Sequence, residues 1–289
     1  QASGLFISLP SLRIESVSVD LMDALSDQRR SGFTLAPEAA TPKMRSIINK
    51  PISDQQLFET AREIYQRGWH TIKLYFMIGL PGEDLKDVEG IAELSKKVLK
   101  IGESSIGNRA QVHVSVSTFV PKPFTPFQWV KTASIPEIQE KIELLQKILR
   151  GRGLKLNWNN PENTVFESWL SRGDRRLADV IQTAWENGAN FDAWREHFDF
   201  QVWLDAFEAC NLNPDFYAHR SRKDQELLPW DHIDSGVNKT ILWEDYQWSM
   251  EGKLRPDCRE GCFGCGILPT YSDLRKANPG PQWLCPEVN

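Results

Sequence analysis

The feature that most constrains the fold is the segment Thr71–Ile78 (TIKLYFMI), halted by Gly79-Leu80-Pro81-Gly82 and followed at once by a helical pattern over 84–100. β-Branched and aromatic residues fill the first part and suit a pleated strand. Glycine and proline stop it. In the second part Val88, Ile91, Ala92, Ser95, Val98 and Leu99 share one helical face. A strand that turns within a few residues into a helix cannot pair with its successor as a hairpin. It feeds a crossover, and crossovers build parallel sheets.

The same alternation recurs along the first half of the chain. Runs at 5–9, 32–36, 112–120 and Leu154–Trp158 read as further strands. Residues 18–25 read as a short helix. Ser53 and Gln56 form a capping-box pattern ahead of Leu57, Ala61, Ile64 and Tyr65, and Gly68 stops that helix. A last helix over 136–149 turns Ile138, Ile142, Leu145 and Leu149 inward. Right-handed crossovers curl such units into a barrel or an open sheet. The strands are too few to close a barrel. The expected fold class is therefore α/β, a partial (β/α) barrel of parallel strands, followed by a mostly helical extension and an irregular Cys-rich tail. The expected boundaries are 1–135 for the partial barrel, 136–160 for a closing helix and strand, 161–250 for the helical extension and 251–289 for the tail.

The chain carries 34 Lys and Arg against 39 Asp and Glu, a net charge of −5. A protein that grips nucleic-acid backbone is usually basic, so charge does not support that partner. No run of 18 apolar residues and no secretory signal is present, which predicts no membrane span and a cytoplasmic protein. The chain begins at Gln1 and its first methionine is Met22, so a fragment of a longer protein is expected. Nine of the 11 tryptophans follow residue 150, as core staples of the helical extension.

Four of five cysteines, Cys258, Cys262, Cys265 and Cys285, lie in the tail. Without a secretory context the spacing C-x3-C-x2-C reads as a ligand set, and Gly261, Gly264 and Gly266 let the backbone turn around it. Three thiolates can hold an iron–sulfur cluster with one open iron, or zinc with Cys285 or a carboxylate such as Asp257 as the fourth ligand, and unliganded thiols are the third alternative. The pairs Asp231-His232 and Asp234, and Glu196-His197, place imidazoles beside carboxylates, more simply as loop histidines held by hydrogen bonds than as bases or ligands.

In parallel βα architectures function sits at the carboxyl ends of strands. Three such ends stand out: Ala36-Pro37-Glu38-Ala39-Ala40, Ile78-Gly79-Leu80-Pro81-Gly82-Glu83, and Thr118-Phe119-Val120-Pro121-Lys122-Pro123. Glycines in the middle segment leave room for a flat group on the backbone. Glu83 reads as a cap of the next helix.

Together these segments, with Ala40-Thr41-Pro42-Lys43-Met44-Arg45 through Asn49-Lys50 and the stretches HFDF and LPWDHIDSGV, resemble the radical S-adenosylmethionine (SAM) superfamily. Within it they are most similar to proteins that carry a cobalamin-binding-like region at the amino end. The resemblance implies that Ile78 and Gly79 line the adenine of SAM, with Pro81 and Glu83 among the cofactor-binding residues. Thr118 and Val120 bound the adenine site, Glu38 faces the ribose or methionyl part, and Lys50 meets the SAM carboxylate. It implies a [4Fe–4S] cluster that cleaves SAM reductively, a reductant such as flavodoxin or ferredoxin, and cobalamin through a domain outside this chain. The superfamily's cluster motif follows the first barrel strand, whereas this chain has that spacing only after all its strands. The first strands and their cluster are therefore expected upstream of Gln1, and the tail as a second iron–sulfur or zinc site. The chain alone is expected not to cleave SAM. The rival reading is a zinc-stabilised scaffold without catalysis.

Overall fold

The computed structural model describes residues 32–280 and Cys285. The strand expected at 5–9 and the helix expected at 18–25 lie outside the described residues. Two compact units are present. Among the described residues, one comprises 32–119 with 135–161, the other 120–134 with 162–280 and Cys285.

The first unit is a four-stranded parallel sheet in the order β1-β2-β3-β4. The strands are β1 (Phe33–Glu38), β2 (Thr71–Ile78), β3 (Gln111–Thr118) and β4 (Leu154–Trp158). Between them run α1 (Pro42–Ile47) and α2 (Asp54–Gln66), then α3 (Leu85–Ile106), then α4 (Ile135–Ile148). The order is consecutive, so each strand adds to the same edge and every right-handed crossover returns over the same face. Helix α3 packs between α2 and α4 and against β2 and β3. Strand alternation matches this one-sided cover. Leu35, Leu74 and Val114 are register partners with no exposed surface, as are Ile72 and Val112. The alternate residues Thr34, Lys73, Tyr75, Met77, His113, Ser115, Ser117, Lys155 and Asn157 are half-buried or exposed.

Local chemistry sets the element ends. Ser53 and Gln56 form the expected capping box on α2. Asp84, rather than Glu83, is the N-cap of α3, in a reciprocal box with Asp87. The buried Asp87 also accepts from Thr41 Oγ1 and Lys43 Nζ, both at 2.7 Å, and so ties the loop after β1 to α3. Helix α3 runs six residues past the sequence expectation, and the buried Gly102 continues its packing. An added Cβ at Gly102 meets the Tyr65 ring at 2.6 Å. Tyr65 is fully buried, and its hydroxyl donates to the carbonyl of Gln111 at 3.0 Å.

The second unit is helical, with α5 (Pro161–Arg172), α6 (Leu177–Glu186), α7 (Phe200–Ala209), α8 (Pro214–Ala218) and α9 (Lys239–Met250). Two short helices, α10 (Ile267–Thr270) and α11 (Ser272–Ala277), interrupt the tail expected to be irregular. Tryptophan staples this unit as anticipated: Trp169 stacks on Phe200 with centroids 5.2 Å apart, and Trp129, Leu228, Trp230 and Leu242 form a second core. Other tryptophans do not, since Trp185 and Trp194 are 63% and 61% exposed. The segment 120–134, expected with the barrel, belongs to this helical unit. Its own side chains explain why. Trp129 enters the second core, Gln128 accepts from Trp230 Nε1 at 2.7 Å, and the Thr132 amide donates to the carbonyl of Ala218.

In an exposed helix Gly→Ala gains about 1 kcal/mol. Gly102→Ala is expected instead to cost about 1–3 kcal/mol by overpacking Tyr65, read as a lowered urea midpoint at unchanged slope. An equal or raised midpoint would contradict the packing described.

Candidate functional site

The carboxyl ends of β1, β2 and β3 form one edge of the sheet. Ile78 and Thr118 are register partners, and the Phe119 amide donates to the carbonyl of Ile78 at 2.8 Å. Between Leu35 and Glu38 the pairing of β1 slips, so that Glu38 stands opposite Phe76. Glu38 itself adopts φ +65°, a left-handed conformation uncommon for a residue with a side chain. Such strain gathers at sites where the surrounding structure enforces it. Here Lys50 contributes: its Nζ donates to the carbonyl of Ala36 at 2.6 Å and lies 3.4 Å from a Glu38 carboxylate oxygen. Arg45 fixes the same loop from inside, donating to the carbonyls of Ala39 and Ile52 and to Asp54.

The turn after β2 is built around Glu83. Its side chain is 3% exposed, and one carboxylate oxygen accepts from the Gly79 amide at 2.7 Å and from Lys141 Nζ at 2.5 Å. Gly79 and Gly82 take φ of +79° and +75°, which residues with a Cβ rarely adopt. Burial pushes the Glu83 carboxyl above its ordinary range, against the downward pulls of Lys141 and the Gly79 amide. Glu83 is therefore a buried brace across the strand mouth, not the cap expected from sequence. Lys141 on α4 had no sequence signal, since 58 residues separate it from its partner.

Structure thus brings together Glu38 and Lys50 at one strand end, Ile78, Gly79, Pro81 and Glu83 at the next, and Thr118 at the third, all in the first unit. Val120 falls in the second unit.

The tail cysteines are not drawn together. Cys258 and Cys262 are exposed, Cys265 and Cys285 half-buried. Among the described residues no three His, Cys, Asp or Glu side chains gather where they could hold a metal ion. Gly264 and Gly266 do turn the loop, at φ of +70° and +102°, and the Cys265 carbonyl accepts from the Asn238 amide at 2.7 Å. The Asp257 carboxylate, the alternative fourth ligand, is held by the guanidinium of Arg259. His232 is likewise not oriented by its neighbouring carboxylates. Its Nδ1 meets the carbonyl of Pro229, Asp231 pairs with Lys239, and Asp234 accepts from the Gly236 amide. No helix among the described residues is long and apolar enough to cross a membrane.

No family model matches the chain. A relative is the uncharacterised protein MJ0966 of Methanocaldococcus jannaschii, 31% identical over 178 residues. That stretch covers 62% of this chain and 37% of the relative, so the chain spans little more than a third of the relative's length.

The position of Glu83 has a pH consequence with a definite sign. Its folded value lies above the unfolded one, so the folded state holds the proton more tightly. Wild-type stability then falls as pH rises from about 4.3 through the raised value, while a glutamine loses nothing. Glu83→Gln, which keeps an acceptor for Gly79, should match the wild type near pH 4 and exceed it in Tm at pH 7. A lower Tm at pH 7 would show that the Lys141 pair outweighs burial.

Proposed function

We propose that this chain is the carboxyl-terminal part of a radical SAM enzyme, with the first unit as part of its (β/α) barrel. One observation carries the reading: the adjacent ends of three parallel strands set Glu38, Ile78-Gly79 and Thr118 along a single edge. Consecutive strand order with one-sided helical cover supports a barrel over a doubly wound sheet, in which strand order reverses at a switch point.

In this reading the backbone of Ile78 and Gly79 takes the adenine. Gly79 suits that role because its left-handed turn carries no Cβ over the strand end, and Glu83 locks the turn in place. Thr118 borders the same edge from β3. Glu38 accepts from ribose hydroxyls, while Lys50, already held at that end of β1, faces the ligand's carboxylate. When bound, the iron–sulfur cluster and SAM supply reductive cleavage to 5′-deoxyadenosine chemistry. The chain's own residues bind, orient and shield. No step is assigned to a metal at the tail.

The test is anaerobic reconstitution of the full-length protein with iron, sulfide, a reductant and SAM. Formation of 5′-deoxyadenosine is expected, with at least a tenfold loss in Gly79→Val, whose side chain strains the turn (~1–2 kcal/mol or more). The 289-residue chain alone is expected to give none. A reconstituted full-length protein that holds zinc, no iron and no SAM would overturn the proposal in favour of a scaffold.

A further inference from the structure

Lys73, His113 and Lys155 are register partners on β2, β3 and β4, so their side chains stand in one row across the sheet, about 5 Å from strand to strand. Thr34 of β1 completes the row. Toward the carboxyl ends the next row is Tyr75, Ser115 and Asn157, followed by Met77 and Ser117. All belong to the face opposite the apolar core, and none is a carboxylate. Among the described residues no carboxylate lies within ion-pair distance of Lys73, His113 or Lys155.

That arrangement has a cost. A positive charge on His113 would be repelled by the lysines opposed to it on both sides. Burial, then Lys155, then Lys73 hold the His113 imidazole below its ordinary range. A parallel sheet is normally covered on both faces, yet this face offers three adjacent basic groups in a chain of net charge −5. Beside the row lies a shallow cavity of about 260 Å³ lined by Tyr75, Ser115, Ser117, Asn157, Trp158 and Asn159. Its hydroxyls and amides can hydrogen-bond an uncharged polar group, and two aromatic rings flank it.

We infer that this face binds an organic phosphate, with the phosphoryl oxygens on the Lys73–His113–Lys155 row and the uncharged polar part in the adjoining cavity. The inference rests on the reading of this face as the barrel interior, and it names the class of substrate. Five residues separate Lys73 from Ile78 along β2, a rise of about 17 Å. The phosphate is therefore the anchored end of the substrate, remote from the group that reacts at the strand ends.

The experiment uses the full-length protein and follows the imidazole C–H signals of His113 by NMR, assigned with His113→Gln. Inorganic phosphate is titrated against sodium chloride at constant ionic strength, then against acetate. Saturable shifts with phosphate, a His113 pKa that rises on binding, and about tenfold weaker binding in each of Lys73→Gln and Lys155→Gln are expected. Should either variant fail to fold, the wild-type phosphate-against-chloride titration still decides. Shifts that track ionic strength alone overturn the inference. So does a His113 pKa at or above the ordinary imidazole value before phosphate is added, since other residues of the protein would then already neutralise the row. SAM binding is measured in the same samples. Phosphate binding without SAM binding keeps the anion site and removes the radical SAM reading. SAM binding without saturable phosphate binding does the reverse.

Discussion

The first unit depends on one constraint: four parallel strands joined in consecutive order. Each crossover must return over the same face, so one side of the sheet is packed by helices and the other is left for something else. Leu35, Leu74 and Val114 meet the first demand with a continuous apolar row. The second face then carries polar residues in the same register, and the strand ends converge on one edge. A single topological rule therefore places the core, the polar face and the candidate site.

Precision at the edge comes from charged groups taken out of water. Glu83 is buried against Lys141 and the Gly79 amide, Arg45 against two loop carbonyls and Asp54, and Asp87 against Thr41 and Lys43. Buried ionic groups add little net stability, because desolvation offsets attraction. They do fix geometry, since each has few alternative partners. The end of β1, the segment between α1 and α2 and the turn after β2 are held in this way, and they carry Glu38, Lys50 and Gly79. The second unit uses the same device with backbone carbonyls as acceptors. Arg172 and Arg222 are buried, and their guanidinium groups donate to the carbonyls of Ala218, Tyr217 and Arg172.

Much of this was legible in the sequence. The strand Thr71–Ile78, the strand Leu154–Trp158 and the capping box at Ser53 follow from local chemistry, and the structure has each of them. Features set by distant partners were not legible. Pro37 reads as a strand stop, yet β1 continues through it to Glu38 because the slipped pairing needs no amide there. Glu83 reads as a cap because its partner Lys141 lies on another helix. The segment 120–134 follows a strand and reads as barrel, but its tryptophan and amide side chains pack into the helical unit. The row Lys73, His113 and Lys155 is invisible until register is known, since the three residues share no local motif.

The central claim is that the ends of β1, β2 and β3 form a nucleoside-binding edge. Its most direct test is an amide-resolved NMR titration of this chain with S-adenosylhomocysteine, which needs neither cluster nor reductant. Saturable shifts confined to Glu38, Lys50, Ile78, Gly79 and Thr118 are predicted. Saturable shifts elsewhere, or none at millimolar ligand, would contradict the account.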